Sequence, residues 1–318
     1  MATDLDWPFY EQRHRDLAGS LGSWADANLH AHGDDVDAEC RALVAKLGAA
    51  DFLHLCVGDG AAPDVRSLAI ARETLAYHSG LADFAFAMQG LGSGAISLAG
   101  SPAQRAQYLP KVASGEAIAA FAMTEPATGS DAANIAMTAV ADDGDYRLNG
   151  EKTYISNGGI ADFYTVLART GEAPGARGLS MFIVAADDPG LSVAERIEVI
   201  APHPLARLAF ANVRGELIGT AGEGFAIAMR TLTLFRVTVA AAALGFARRA
   251  LDEALAFAAT RRLATGTLAD NAVTQANLAD MATAIDSSAL LIARAAWAQD
   301  TSPADNRRAA AMAKLHAT

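Results

Sequence analysis

The sequence predicts an α+β protein of several domains: a helical N-terminal domain over residues 1–117, a middle domain of antiparallel β-strands over 118–222, and a helical C-terminal domain over 223–318. Three observations predict this organisation. Apolar residues recur at helical spacing in the first region, short β-rich segments separated by turn signals fill the second, and long helical patterns return in the third. Because no long helical pattern interrupts the middle region, we expect an antiparallel sheet or barrel there and not βαβ units.

The N-terminal region carries its apolar residues on helical faces. Leu81, Phe84 and Met88 stand at i, i+3 and i+7, and a similar pattern occurs within residues 43–47. The pair Ser101–Pro102 is typical of a helix start, because serine caps an N-terminus well and proline fits the first helical position.

The middle region consists of short segments rich in β-branched and aromatic residues. Asp-Gly, Asn-Gly and Pro-Gly pairs separate these segments, as turns separate strands. The predicted strands include residues 163–168, 179–184, 191–199 and 207–213.

The C-terminal region predicts long helices. One runs from about Glu223 to Leu263 and a second from about Ala272 to Gln299. A third opens at Ser302–Pro303 with Asp305 in its first turn. One face of the second helix carries Leu278, Met281, Ile285 and Ile292. The sequence stops inside the third helix, so we expect an incomplete antiparallel bundle.

The composition limits the class of protein. The 25 basic and 36 acidic residues give a net charge of −11, which argues against a nucleic-acid-binding protein. Cys40 and Cys56 lack metal-ligand spacing and are expected to be buried free thiols in a reduced, cytoplasmic protein. The start of the sequence does not resemble a signal peptide. The apolar run at 237–247 is short and flanked by arginines, which favours a buried helix over a membrane span.

Two segments carry the residues that indicate chemistry. FAMTEPATGSD at 121–131 reads as a strand that leaves into a Gly/Ser turn, where hydroxyls and backbone amides meet a polar ring edge or a phosphate. NGEKTYISNGG at 149–159 reads as a strand with Tyr154 and Ser156 on the same face. A flat ring would rest there against the aromatic side chain, although the pattern alone favours an ordinary hairpin with turn residues.

These two segments resemble the flavin-binding signatures of acyl-CoA dehydrogenases, in order and at the usual separation. The resemblance covers nearly the whole chain and includes GEGFAIAM at 222–229, RVTVAAAALG at 236–245 and NLADM at 277–281. It implies the acyl-CoA dehydrogenase-like fold and FAD as the cofactor. It also implies a role in fatty acid metabolism.

The resemblance further implies the site residues. Phe121, Met123 and Thr124 would line the flavin ring, Gly129 and Ser130 would lie near the cofactor phosphates and the substrate thioester, and Tyr154, Ile155 and Ser156 would cover and bond the isoalloxazine. The segment Thr233, Leu234, Phe235 and Arg236, together with Ser130, would contact the acyl-CoA. Arg262 would reach the FAD of a neighbouring subunit. Its motif departs from the family pattern, with Thr265–Gly266 in place of Phe-Gly and Ala272 in place of a frequent glutamine.

Two patterns resemble sites without their usual context. GLGSGA at 90–95 has the outline of a dinucleotide fingerprint but lacks a preceding strand, so a close helix contact is expected. His203 and His316 have no partners at ligand spacing and are expected to be structural. No metal site is predicted.

The sequence has no carboxylate at either position where the resemblance would place the catalytic base. In the family a carboxylate removes the substrate α-proton. In most members it is a glutamate in a Tyr-Glu-Gly-Thr-like loop, which would lie beyond Thr318. In others it stands on the long helix, where this sequence has Phe235. Glu223 and Glu125 are the remaining carboxylates, and Glu125 is expected to be structural.

Three interpretations stay open: a truncated acyl-CoA dehydrogenase, a base-less subunit paired with a longer homologous chain, or a non-catalytic flavin- or thioester-binding protein. We expect the chain alone to be a poor or inactive dehydrogenase. The resemblance implies an acyl-CoA or acyl-carrier substrate and an electron-transfer flavoprotein as acceptor. It also implies a homotetramer built as a dimer of dimers. From the charge and the short apolar run, we expect neither nucleic acid nor a membrane as partner.

Overall fold

The computed structural model describes residues 5–29, 33, 35–58, 63–302 and 306–318. The N-terminal part is helical, as predicted. Its α-helices are α1 (Gln12–Asn28), α2 (Val36–Ala49), α3 (Val65–His78), α4 (Gly80–Ala99) and α5 (Pro102–Ala113).

Helix α5 begins where the sequence predicts it. The Ser101 hydroxyl accepts a hydrogen bond from the Gln104 N–H at 3.2 Å, and the Gln104 side chain accepts one from the Ser101 N–H at 2.9 Å. Pro102 occupies the first helical turn. This reciprocal capping box satisfies two backbone donors that a helix N-terminus otherwise leaves unpaired.

The middle part is a sheet of mostly antiparallel strands. Its strands are β1 (Ala119–Ala122), β2 (Thr138–Asp142), β3 (Asp145–Ser156), β4 (Phe163–Arg169), β5 (Leu179–Ala185), β6 (Leu191–Arg196) and β7 (Leu205–Ile218). Pairings run β4–β2–β3–β7–β5 and return to β4, so these five strands close into a barrel; β1 adds to β4 and β6 to β7. Only 3₁₀ turns lie between the strands from residue 119 to 218, all of which are described. The predicted fold class is thereby confirmed.

Two details of the sheet differ from a purely antiparallel prediction. β1 pairs with β4 in parallel, and β2 meets β4 in parallel at Thr138 and Arg169. Separately, strand β6 is shorter than predicted: it ends at Arg196, three residues before the predicted end. Parallel pairing is possible because the long segment between β1 and β4, which includes the β2–β3 hairpin, gives the chain room to return in the same direction.

The C-terminal part contains α6 (Gly224–Thr260), α7 (Ala272–Thr301) and α8 (Arg307–Ala317). The prediction that α6 reaches Leu263 is wrong: Arg262–Leu263 and Gly266–Thr267 form a short hairpin, β8 and β9. Gly266 has a positive φ of 121°, which a turn accepts and a helix does not. On α7, Ile285 and Ile292 are buried and Leu278 and Met281 are half-buried, in agreement with the predicted face.

The predicted start of the third helix at Ser302 is wrong. Ser302 is the C-cap of α7, and Asn306 precedes the first described residue of α8. Pro303 and Asp305 lie outside the described residues. Ser302 therefore marks the end of one helix, whereas Ser101–Pro102 marks the beginning of another.

The chain divides into two compact units, which differ from the three linear domains of the prediction. The first unit comprises residues 1–30, 64–83 and 233–318, and the second comprises 31–63 and 84–232. Two of the boundaries between the units fall within α4 and within α6. The linear boundaries at residues 117 and 222 stay a prediction.

The core of the second unit forms where α4 meets the barrel. The Gln89 side chain donates to the Ala117 carbonyl at 2.7 Å and accepts from the Ala119 N–H at 3.0 Å. Beside it, a Cβ atom on Gly92 would stand 2.6 Å from the Ala119 carbonyl carbon, so only glycine allows this approach. The run GLGSGA lies inside helix α4, and Gly92 serves the close helix contact that was predicted for it.

The first unit packs α1, α3 and α7 together. Tyr10, Ile70 and Ala293 form a buried cluster, on which partly buried side chains including Trp7 and Phe9 pack. Helix α6 is long and apolar enough to span a membrane by length and composition, but 61% of its most apolar window is buried inside the protein. Cys40 and Cys56 are buried free thiols, as predicted, and burial raises the pKa of the Cys40 thiol to about 12.

Candidate functional site

The first signature segment leaves the sheet at the end of β1 and forms a tight turn. The backbone N–H of Glu125 donates to the Thr128 carbonyl and the Thr128 N–H donates back, each at 3.1 Å. Pro126 stands inside this turn, where its fixed φ is favourable. The turn exposes Gly129 and Ser130, and it leaves Phe121, Met123 and Thr124 half-buried.

The second signature segment ends β3 with a bulge. Lys152 pairs with Leu208 and Ile155 pairs with Ala206, so β3 has one residue more than β7 at this point. Tyr154 adopts a φ of +54°, in the left-handed region that a bulge accommodates. As a result Lys152 and Thr153 are both buried, and the regular alternation assumed from the sequence is interrupted just before Tyr154.

Beyond the bulge the alternation resumes. Tyr154 is 64% exposed, Ile155 is buried and Ser156 is half-buried. This burial pattern agrees with Tyr154 and Ser156 sharing a face, which stays a prediction. The bulge is a feature that the sequence does not signal, since neither residue at it is a glycine.

Hydrogen bonds join the two segments directly. The Thr153 N–H donates to the Thr124 carbonyl at 2.9 Å, and the Lys152 ammonium donates to the Met123 carbonyl at 2.9 Å. The Asn157 side chain donates to the Ala119 carbonyl, also at 2.9 Å. Segments separated by about 30 residues in the sequence are thus adjacent in the second unit.

The predicted hydroxyls at these segments remain available to a ligand. Across the described part of the chain, the side chains of Thr124, Ser130, Tyr154 and Ser156 make no hydrogen bond. A Cβ placed on Gly129 would meet nothing within 4 Å. An exposed aromatic ring beside unpaired hydroxyls fits a flat polar ring system, which needs one surface for stacking and several polar groups at its edge.

Glu125 in the first segment and Lys152 in the second were not predicted to be functional. The Lys152 ammonium and the Glu125 carboxylate form a buried ion pair at 2.9 Å. Burial lowers the pKa of Lys152 to about 8, and the negative charge of Glu125 opposes that shift. Glu125 is engaged structurally, as expected. Lys152 lies within the second signature, but a lysine in a strand is usually solvated, so its burial could not be predicted from the sequence.

The predicted substrate segment lies on α6 in the first unit. Leu234 and Phe235 are buried, Thr233 is half-buried and Arg236 is exposed. The Thr238 hydroxyl donates to the Phe235 carbonyl at 2.9 Å and accepts from Arg72 at 3.3 Å.

Arg72 in turn holds Asp83 through two hydrogen bonds of 2.7 and 2.8 Å. This buried bidentate ion pair thus supports, through Thr238, the helical turn that carries Phe235.

The remaining candidates are exposed or structural. Arg262 is exposed on the β8–β9 hairpin, and Glu223 is exposed just before α6. His203 binds the Ala201 carbonyl at 2.8 Å and packs against Phe84. His316 binds the Ser287 hydroxyl. Within the described residues no group of His, Cys, Asp or Glu side chains has the arrangement of a metal site.

Comparison with known proteins gives consistent matches along the chain. Family models match for the acyl-CoA dehydrogenase N-terminal domain at residues 11–116, the middle domain at 120–213 and the C-terminal domain at 222–318. An acyl-CoA dehydrogenase of Bacillus subtilis strain 168 is 35% identical over 263 residues, which cover 80% of this chain and 69% of that protein.

Two solved structures have the same fold. Butyryl-CoA dehydrogenase from Megasphaera elsdenii is 28% identical with a TM-score of 0.85, over 96% of this chain and 84% of that one. The FAD complex of PigA is 26% identical with a TM-score of 0.87, over the same shares of the two chains.

Proposed function

The chain belongs to the acyl-CoA dehydrogenase family, and from that premise we propose that it catalyses the α,β-dehydrogenation of an acyl-CoA thioester and passes the electrons through FAD to an electron-transfer flavoprotein. It is an oxidoreductase of the class that acts on CH–CH groups, and its cofactor is FAD. The observation that carries the proposal is the junction of the two signature segments, with an exposed Tyr154 and unpaired hydroxyls on Thr124 and Ser156.

The proposed reaction removes two hydrogens from adjacent carbons. The α-carbon loses a proton to a base, the β-carbon loses a hydride, and a C=C bond forms between them. When bound, FAD supplies the hydride acceptor, and the protein supplies orientation and the base. The α-proton is weakly acidic, so hydrogen-bond donors at the thioester carbonyl and a dry site are needed to lower the barrier.

We assign roles to the residues of the second unit on this basis. Thr124 and Ser156 would bond the polar edges of the flavin ring, while Tyr154 would cover one face of it. Gly129 and Ser130 would bind the phosphates or the thioester arm. Gly129 has no side chain and space beside it, so a ligand can reach its backbone.

Glu125 is unsuited to act as the base. Its two carboxylate oxygens accept hydrogen bonds from Lys152, from the Ala136 N–H at 2.8 Å and from the Met137 N–H at 3.0 Å. Phe235 holds the position on α6 where some members have a glutamate, and its ring cannot take a proton. We therefore propose that α6 orients the acyl-CoA through Thr233–Arg236 without supplying the base from residue 235.

Replacing Ser156 with alanine is expected to weaken FAD binding about fivefold, because one neutral hydrogen bond is worth ~1 kcal/mol. Titration of the apoprotein with FAD, followed by flavin fluorescence, measures the change. Ser192→Ala on β6, where the serine is exposed, is the matched control and is expected to leave the dissociation constant unchanged. Equal FAD affinity of the Ser156 and Ser192 variants would show that Ser156 does not hydrogen-bond to FAD.

We also propose that the protein self-associates through its first unit, as a dimer of dimers. Several large apolar side chains of α6 and α7 are exposed there: Phe246, Leu255, Phe257, Val273 and Leu290. An apolar surface of this kind is normally covered by a partner. Light scattering is expected to give the mass of a dimer or tetramer, and a stable monomer at micromolar concentration would contradict the proposal.

The proposed function is tested by anaerobic mixing of FAD-loaded protein with short, long, branched and aromatic acyl-CoAs. Loss of flavin absorbance together with a thioester product lighter by two hydrogens supports it. Because residue 235 supplies no base, the expected rate for the chain alone is low. A perturbed flavin spectrum without any two-hydrogen loss, in this protein and in the Phe235→Glu variant described below, would instead indicate a non-catalytic thioester-binding protein.

A further inference from the structure

We infer that the buried Lys152–Glu125 ion pair is a positioning device that orders both flavin-contacting segments before FAD binds. This inference rests on the proposed function and deepens it, because it names residues that act on the site without touching the cofactor. It starts from an unusual feature of the second unit: a lysine with no exposed surface in the middle of a signature strand.

The pair ties three stretches of chain together. Lys152 on β3 donates to the Met123 carbonyl and to Glu125, each at 2.9 Å. Glu125 accepts from the backbone N–H groups of Ala136 and Met137 at 2.8 and 3.0 Å. The loop that carries Gly129 and Ser130 is therefore closed at its base by one pair of side chains.

A second cation fixes the returning half of that loop. Arg169 donates to the carbonyls of Ile135 and Ala133, each at 2.9 Å, and to Gly175 at 3.1 Å. Apart from Ala132 and Ala133, the residues between Gly129 and Asn134 are exposed, so they have little packing of their own to order them. The loop conformation thus depends on charged side chains that contact its two ends.

The geometry links the buried ammonium to the exposed Tyr154. Lys152 and Thr153 are consecutive, and both bind the first segment, Lys152 through its side chain and Thr153 through its N–H. The bulge interrupts the alternation of buried and exposed residues, so Lys152 and Thr153 are both buried where they bind the first segment. The same bulge gives Tyr154 its positive φ and its exposure.

Stability alone does not explain the pair. Removing two charges from water costs about as much free energy as their attraction returns, and an apolar pair of similar size is often as stable or more so. The pair instead makes four directional hydrogen bonds to backbone groups and to itself, which fix the Met123–Thr124 peptide beside the predicted flavin edge. A positioning role therefore accounts for charges that packing does not require.

The experiment compares wild type with the double variant Lys152→Met/Glu125→Leu, which keeps apolar volume and removes both charges together, so that neither is left unpaired. Gln104→Leu is the matched control. Gln104 is equally buried and donates to Glu216 and to the Leu217 carbonyl, twelve residues along β7 from Leu205, which pairs with Ser156. The readouts are the FAD dissociation constant, the visible circular dichroism of the bound flavin and the melting temperature of the apoprotein.

The double variant is expected to raise the FAD dissociation constant about tenfold and to change the circular dichroism of the bound flavin. The control is expected to lower the melting temperature with both flavin readouts unchanged. Binding by the double variant within twofold of wild type, with an unchanged flavin spectrum, would overturn the inference. Failure of wild type to bind FAD would instead refute the proposed function.

Amide hydrogen exchange in the wild-type apoprotein decides the matter if the double variant does not fold. The inference predicts that the Ala136 and Met137 N–H groups are already protected before FAD is added, because Glu125 holds them. Exchange at the rate of an open loop, with protection appearing only after FAD binds, would show that the pair does not order the site in advance.

Discussion

Replacement of Phe235 by glutamate is expected to raise the rate of anaerobic flavin reduction by an acyl-CoA by at least about 100-fold, because a positioned general base contributes roughly 10²–10⁴. Phe235 is 6% exposed on α6, so a carboxylate at this position would be desolvated and its pKa raised toward neutrality. The backbone there is fixed independently of the side chain, since the Thr238 hydroxyl binds the Phe235 carbonyl. Stopped-flow absorbance of the flavin band measures the rate.

Phe235→Gln is the control for the glutamate variant. Glutamine has the same shape as glutamate but cannot accept the α-proton at neutral pH, so it should leave the reduction rate near that of wild type. Equal rates for the two variants would mean that residue 235 does not face the substrate α-carbon. The assignment of Thr233–Arg236 to the acyl-CoA site would then fail.

Replacement of Arg72 by methionine is expected to lower the free energy of unfolding by about 3–5 kcal/mol, because it leaves the buried Asp83 carboxylate without its partner. Arg72 holds Asp83 through two hydrogen bonds and also contacts Thr238 on α6. Both members of the pair are at most 9% exposed, so water cannot replace the lost contact. Denaturation in guanidinium chloride, followed by circular dichroism, measures the loss.

Two further variants serve as controls for the Arg72→Met measurement. Arg147→Met removes an exposed partner of Asp142 and is expected to leave the free energy of unfolding nearly unchanged, because solvent screens a surface ion pair. The double variant Arg72→Met/Asp83→Leu is expected to recover most of the stability, since no unpaired charge remains. A loss below about 1 kcal/mol for Arg72→Met would show that the pair does not anchor this turn of α6.

The fold was predictable from the sequence where local signals agree with the final structure. The strands between residues 163 and 218 and the capped start of α5 follow from turn residues, from short runs of β-branched and aromatic residues, and from the Ser101–Pro102 pair. The errors occur where one pattern has two meanings. Ser302 ends α7 instead of starting a helix, and the apolar pattern of α6 runs past Thr260 into the hairpin of Arg262.

The candidate site was predictable only as two segments. Their residue types indicate a surface for a flat ring, but the contacts that join them depend on the tertiary fold. The bulge before Tyr154 arises from the register of β3 against β7, and no residue type in the sequence indicates it. Glu125 was expected to be structural, but the sequence names no partner for it and carries no sign that Lys152 is buried; only the path of the loop after Glu125 shows that the two meet in the interior.

The crystal structure of the FAD-loaded protein tests the central claim most directly. The account predicts the isoalloxazine ring against the side chain of Tyr154, with the hydroxyls of Thr124 and Ser156 within hydrogen-bond distance of its edge and the cofactor phosphates near Gly129 and Ser130. FAD bound at another surface, or a ring that contacts neither signature segment, would contradict it.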